Sequence, residues 1–245
     1  FDEHQNLDGS MEEPDYEYLP KLFAVDFSGS VGNDFLYHST LEQIFMNIHN
    51  YDSSKDLIIL WDDSAAYANL DRMIDIWKNR RGGGLTCPQE IIHLLQQYPP
   101  ASIPDYLILI TDGFIDKSDI NVTERRFQES NISFKYVATY IIGSSGDLSV
   151  GCSFVRNCPS VVYKVDSSGI HTVRKVTELD LELFDNLANI QTPAAFNARF
   201  ENIFKAARAK CMGTDEQPQL RDTLMTVRER LNENNGDPLL PTCLK

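Results

Sequence analysis

Five residues with oxygen-bearing side chains stand out by their types and spacing: Asp26, Ser28, Ser30, Thr86 and Asp112. The first three follow the apolar run LFAV, the fourth follows three glycines and a leucine, and the fifth follows the apolar run YLILI and a threonine. Two carboxylates that meet at one place repel each other unless a cation neutralises them, and hydroxyl groups add neutral oxygen ligands. This all-oxygen set suits Mg²⁺ or Mn²⁺ better than zinc.

Each of these residues also has a purely structural explanation. Ser28 and Ser30 are of a type that caps the N-terminus of a following helix. Thr86 fits the first position of a capping box, and Asp112 with the glycine after it is a common turn pair. The joint occurrence of all five residues, rather than any one of them, predicts a metal site.

The elements that position these residues are predicted from apolar patterns. Short apolar runs occur at residues 22–25, 57–61, 106–110, 136–142 and 161–165. Several of these runs are continuous, which is typical of strands buried on both faces. Amphipathic helical patterns alternate with them, one around Leu41 and one around Ile91. We therefore expect an α/β fold with an open, mostly parallel, doubly wound (Rossmann-like) sheet that has helices on both faces.

In such sheets, ligands bind outside the carboxyl ends of the strands. The motif D-x-S-x-S at residues 26–30, Thr86 after its glycines, and the segment TDG at residues 111–113 occur in this order along the chain. Together they resemble the von Willebrand factor A domain and its metal-ion-dependent adhesion site. The resemblance covers roughly residues 21–167.

The resemblance implies a role for each matched residue. Ser28 and Ser30 would bind the ion directly, and Thr86 would bind it in one state and step back in another. Asp26 and Asp112 would act directly or through water. In this family a carboxylate of a protein partner commonly completes the coordination shell, and an ion held mainly by neutral hydroxyls keeps the positive charge to attract it.

The chain is predicted to have three parts. Residues 1–20 carry seven acids and two prolines, which indicates an acidic, extended lead-in. The von Willebrand A-like domain is expected over residues 21–211, with no strand after Asp166 and a long amphipathic helix near its end. Residues 212–245 form a predicted C-terminal helical tail. Its narrow seam of leucines and a valine either packs back on the domain or docks to a partner helix.

Composition limits the kind of partner. The chain of 245 residues has a net charge of -14 and no block rich in lysine or arginine, which argues against nucleic acid and anionic lipid. No apolar run approaches the ~20 residues of a membrane helix. Five cysteines without a CxxC pair favour reduced thiols and an intracellular location, with a Cys152–Cys158 disulfide as the alternative. The chain is expected to work within a larger complex or a longer polypeptide.

Catalysis is the least favoured hypothesis. Residues 28–32 nearly match the nucleophile elbow of hydrolases, with Asp112 and His171 following in the right order, but the first glycine is missing. A phosphotransferase with Asp26 as nucleophile would normally have a second acid at position 28. Asp62 and Asp63 are interpreted as strand-end polar residues, with a role in tuning the ion as the alternative. We expect no enzyme but a cation-dependent protein-binding module, with a metal-independent scaffold as the alternative.

Overall fold

A computed structural model describes residues 19–143 and 146–176 of the chain. The strands in this part are β1 (Lys21–Asp26), β2 (Leu57–Trp61), β3 (Ala65–Ala68), β4 (Tyr106–Thr111), β5 (Tyr136–Ile142), β6 (Ser160–Asp166) and β7 (Gly169–Val176). The α-helices are α1 (Phe35–Gln43), α2 (Leu70–Asn79), α3 (Gln89–Leu95) and α4 (Lys117–Glu129). A π-helical turn at Ile44–Ile48 continues α1, and short 3₁₀ helices lie at Gly29–Val31, Pro100–Ser102 and Leu148–Cys152.

All seven strands join one sheet in the order β3-β2-β1-β4-β5-β6-β7. The five inner strands are parallel to one another, and the two edge strands, β3 and β7, run antiparallel to their neighbours. The predicted α/β sheet, mostly parallel and Rossmann-like, is therefore confirmed.

Helices cover both faces of the sheet, as the continuous apolar runs predict. Every residue of β1 and of β4 is buried. Side chains of β1 alternate between two apolar clusters, since Phe23 packs with residues of α1 and α2 while Leu22 packs with residues of α3 and α4. The central strands are thus desolvated on both faces, and their polar residues accumulate at the strand ends.

The two edge strands escaped the sequence analysis. The prediction that no strand follows Asp166 is wrong, because β7 pairs with β6 over its whole length. The middle of β7 is exposed, so its sequence lacks the apolar run that marks a buried strand. β3 has only four residues. The acidic lead-in (except Leu19 and Pro20), the long amphipathic helix and the C-terminal seam predicted from the sequence lie outside the described residues.

Three of the five cysteines lie in the described part of the chain. Cys87, Cys152 and Cys158 form no disulfide within this part of the chain, so the alternative of a Cys152–Cys158 disulfide is wrong. Arg174 donates a hydrogen bond to the sulfur of Cys152. Among the helices of the described residues, none has the length and apolar character needed to cross a membrane.

Tyr37 of α1 links the helix to the ends of β1 and β4. Its buried hydroxyl donates to the carbonyl oxygen of Asp26 at 2.7 Å and lies 3.4 Å from that of Ile110. We expect Tyr37→Phe to lower the free energy of unfolding by about 1 to 3 kcal/mol, because a buried carbonyl loses its donor. Urea unfolding measures this loss. Tyr98→Phe, at an exposed ring, is the control, and equal stability of both variants would contradict the prediction.

Candidate functional site

The candidate residues lie where the strand order reverses. From β1 the chain crosses to β2 on one side, and β4 later takes the place on the other side of β1. In open α/β sheets this switch point leaves a crevice outside the carboxyl ends of the two central strands. Asp26 is the last residue of β1, and Asp112 directly follows β4. The topology thus brings to one crevice two acids that are far apart in the sequence.

Asp26 is a carboxyl group taken out of water. Its side chain is almost completely buried. One oxygen, Oδ1, accepts from the backbone N–H of Ser28 at 2.9 Å, and the other, Oδ2, accepts from the hydroxyl of Thr111 at 2.6 Å. Burial raises the pKa of Asp26 from its ordinary value of 3.8 to about 7, and the charge of Asp112 adds a smaller effect. Repulsion between the two acids, the cause predicted from the sequence, therefore contributes less to the raised pKa than burial does.

Ser28 and Ser30 place their hydroxyls side by side. The two Oγ atoms are 3.0 Å apart, and Ser28 is buried whereas Ser30 is exposed. In an octahedral Mg²⁺ site with bonds of 2.0–2.1 Å, neighbouring ligand oxygens are about 2.9 Å apart. The observed pair therefore matches one edge of such an octahedron as well as a hydrogen bond.

Ser28 precedes a 3₁₀ turn but makes no side-chain capping bond there. The helix that follows, α1, is capped by Asp34, whose carboxylate accepts from the backbone N–H of Tyr37 at 3.1 Å. The capping explanation for Ser28 and Ser30 is therefore wrong, which leaves both hydroxyls available for the crevice.

A glycine loop crosses the edge of the sheet beside these serines. It leads from α2 on one face to α3 on the other, and Thr86 lies in it. The backbone N–H of Gly29 donates to the carbonyl of Gly84 at 3.0 Å, and that of Gly83 donates to the carbonyl of Phe27 at 2.7 Å. The loop is thus bonded to the segment that carries Ser28 and Ser30.

Thr86 is not the N-cap of α3. The N-cap is Pro88, and no side chain caps this helix. The capping-box explanation for Thr86 is therefore wrong. The backbone N–H of the next residue, Cys87, donates to the carbonyl of Asp62 after β2 at 3.0 Å, which fixes Thr86 near the carboxyl edge of the sheet.

Asp112 has a structural role that the sequence analysis foresaw. Its Oδ1 accepts from the backbone N–H of Phe114 at 2.9 Å, and Gly113 adopts a left-handed φ of 76°. The turn explanation for this pair is therefore confirmed, and it occupies one of the two carboxylate oxygens. Asp112 is buried at the mouth of the crevice, close enough to Asp26 to affect its pKa.

Within residues 19–143 and 146–176, no group of three or more His, Cys, Asp or Glu side chains is arranged to hold a metal ion. The candidate set has only two carboxylates and otherwise hydroxyls. Its assignment as a metal site remains a prediction.

His171 and Asp62, which the sequence offers for other roles, have hydrogen-bond partners of their own. His171 lies on β7, and its Nε2 is 2.8 Å from the hydroxyl of Ser168, so the structure pairs it with that serine rather than with Ser30. Asp62 accepts from the backbone N–H and the hydroxyl of Ser64 at 2.9 and 3.0 Å. These bonds agree with its interpretation as a strand-end polar residue.

Large apolar side chains exposed at the same edge were missed in the sequence. They lie in segments that follow the carboxyl ends of the strands or in the glycine loop: Phe35, Leu85, Phe114 and Leu148. Leu85 stands next to Thr86, and Phe114 is two residues after Asp112. The exposure of Leu85 could have been predicted from the sequence, because an apolar residue inside a glycine loop has no neighbouring strand or helix to cover it.

Comparisons with known proteins give limited similarity. No protein-family model matches the chain. The Early 94 kDa protein of Autographa californica nuclear polyhedrosis virus is 30% identical over 161 residues, which cover 59% of this chain and 19% of the viral protein. This chain therefore spans about a fifth of that relative. Among solved structures, the von Willebrand factor type A from Catenulispora acidiphila is 13% identical with a TM-score of 0.39, covering 60% of this chain and 38% of the other.

Proposed function

We propose that this chain is a von Willebrand A-like module that binds Mg²⁺ or Mn²⁺ and uses the ion to bind a carboxylate of a protein partner, without catalysis. The ion would be held by the set named from the sequence: Asp26, Ser28, Ser30, Thr86 and Asp112. The observation that carries the proposal is the paired Ser28 and Ser30 hydroxyls beside two buried acids at the switch point.

The hydrogen bonds and the exposure of these residues indicate different roles for Asp26 and Ser30 in holding the ion. Both oxygens of Asp26 already accept hydrogen bonds, so Asp26 is suited to act through water and through Ser28. Ser30 is exposed and can meet an ion from the solvent side. The bound cation would stabilise the ionised form of Asp26, and its remaining charge would attract an external carboxylate.

A metal-independent scaffold is the second candidate. One observation favours it: both oxygens of Asp26 accept hydrogen bonds from Ser28 and Thr111, so the buried carboxyl group has protein partners without an ion. In that case partner binding would persist without a divalent ion. The two candidates therefore differ in whether the crevice binds a cation.

Calorimetric titration of the full chain distinguishes them. The protein is stripped with EDTA, dialysed, and titrated with Mg²⁺ and with Mn²⁺. We expect saturable binding at one site in the wild type and its loss in the double variant Ser28→Ala, Ser30→Ala, because two neutral oxygen ligands disappear.

The matched control is Ser102→Ala, Ser133→Ala, which removes two exposed hydroxyls that precede β4 and β5. It should bind the ion like the wild type. Absence of binding to the wild type, or equal binding by both double variants, would favour the scaffold. Turnover of a substrate that depends on Ser30 or Asp26 would contradict the non-catalytic proposal.

A further inference from the structure

One side of the candidate crevice is formed by the end of α2 and the residues after it. The backbone N–H of Asn33 donates to the carbonyl of Arg80 at 3.0 Å. A methyl group added at Gly82 would lie 2.5 Å from the carbonyl oxygen of Ser28, which shows how closely the two segments run. Arg80 and Arg81 thus stand directly beside the segment that carries the candidate serine ligands.

This side combines cations with exposed apolar surface. Phe35 is 66% exposed and Leu85 is 69% exposed. The guanidinium of Arg80 lies over the ring of Phe35, 4.9 Å from its centroid. A guanidinium that stacks on an aromatic ring keeps its N–H groups available at the edge for a carboxylate. We call Phe35, Arg80, Arg81 and Leu85 the basic rim.

The charge around the crevice is asymmetric. The sequence KNRR at residues 78–81 places three cations within four residues, although the whole chain has a net charge of -14. Arg81 is about half exposed and shares Asp75 with Arg72 at 3.5 and 3.3 Å. On the opposite side of the crevice, the loops after β4 and β5 contribute the acids Asp116 and Asp147, and Lys117 lies 3.8 Å from Asp147. Two acids also border the basic rim, since Asp34 precedes Phe35 and the side chain of Asp62 lies against Gly84. An acidic ligand is therefore attracted to Arg80 and Arg81 within the basic rim rather than to the loops after β4 and β5.

We propose that the basic rim binds an acidic protein segment with aromatic or aliphatic side chains, one carboxylate of which reaches the ion. The segment lies over the ends of α1 and α2, with acids beside Arg80 and Arg81 and apolar side chains on Phe35 and Leu85. This inference rests on the proposed function for the carboxylate at the ion, but the rim itself needs no metal. The inference specifies the chemistry of the partner and the side of the crevice on which the partner segment lies.

The test uses short fluorescein-labelled peptides that combine aspartates and glutamates with one phenylalanine and leucines at varied spacings. Fluorescence anisotropy with the full chain in Mg²⁺ should show saturable binding that weakens with added salt. Peptides with amides in place of the acids, or serines in place of the apolar residues, should bind at least about tenfold more weakly.

Variants of the protein test whether the peptide binds at the basic rim. Arg80→Gln, Arg81→Gln and, separately, Phe35→Ser should each weaken peptide binding by about tenfold. Matched controls are Arg125→Gln, an exposed cation on α4, and Met46→Ser, an exposed apolar residue of the π-helical turn. Both controls should bind the peptide like the wild type.

The two proposals fail in different ways. Calorimetric Mg²⁺ affinity should not change in Arg80→Gln, Arg81→Gln, because neither residue is a proposed ligand. If Mg²⁺ binds and no acidic peptide does, or if the rim variants bind like the controls, the partner chemistry inferred here is wrong. If Mg²⁺ does not bind, peptide binding in EDTA that still depends on the arginines supports the rim, while the metal proposal fails.

Discussion

Asp26→Asn is expected to remove a large pH dependence from the stability of the metal-free protein. Burial raises the pKa of Asp26 from 3.8 to about 7, so the folded chain binds this proton more tightly than the unfolded chain. The stabilisation from this proton is complete below pH 3.8 and is lost as the pH rises through about 7. A shift of this size corresponds to about 4 kcal/mol.

The measurement is urea unfolding of the wild type and of Asp26→Asn in EDTA between pH 4 and pH 8. The difference between the two free energies of unfolding isolates Asp26, since the other acids titrate in both proteins. We expect the wild type to lose stability relative to the variant as the pH rises, mainly between pH 4 and pH 7. Parallel curves would contradict the raised pKa.

Saturating Mg²⁺ should reverse this effect in the wild type. A cation in the crevice favours the ionised carboxylate, so binding should tighten as the pH rises to 7 and should release protons below it. The wild type should then gain stability at pH 8, whereas Asp26→Asn should gain much less. Equal gains in both proteins would place any bound ion elsewhere.

Gly82→Ala should disturb the site although position 82 carries no candidate ligand. An added methyl group would lie 2.5 Å from the carbonyl oxygen of Ser28 and 2.7 Å from the backbone nitrogen of Gly32. Both contacts are with backbone, so the glycine loop must move away from the serine segment. We expect a loss of about 1 to 3 kcal/mol in the free energy of unfolding. If the metal proposal holds, Mg²⁺ affinity should fall by about tenfold or more.

Gly83→Ala is a matched control one residue away. A methyl group at Gly83 meets no atom within 4 Å, and its φ is not in the left-handed region. This variant should have the stability and ion affinity of the wild type. If both variants behave alike, the close approach of the loop to Ser28 is not a constraint on the site.

The central strands were predictable from the sequence, and the edge strands were not. β1 and β4 are buried on both faces, and burial leaves a continuous apolar run that can be recognised without the fold. β3 and β7 are short or exposed, and they are strands because a neighbour pairs with them. Pairing is a tertiary property, so the edges of the sheet leave a weak local signal.

The sequence also indicated wrong structural explanations for three candidates, Ser28, Ser30 and Thr86. It is compatible with capping by Ser28 or Thr86, because capping patterns are short and common. In the structure, the Asp34 side chain caps α1, and the N-cap of α3 is Pro88. Which of several nearby polar residues caps a helix depends on where the chain turns, and the turn at Ser28 is determined by its bonds to the glycine loop.

By itself, the sequence determined the α/β class, the five inner strands and the oxygen-rich residues that follow two of them. Residue type and apolar run length are local properties, so they can be recognised without coordinates. Only the tertiary structure placed Thr111 against Asp26, 85 residues away, and buried that carboxyl group enough to raise its pKa. It alone set the basic rim beside the serines. Proximity, burial and charge asymmetry depend on which strands and loops become neighbours, and that is decided when the sheet forms.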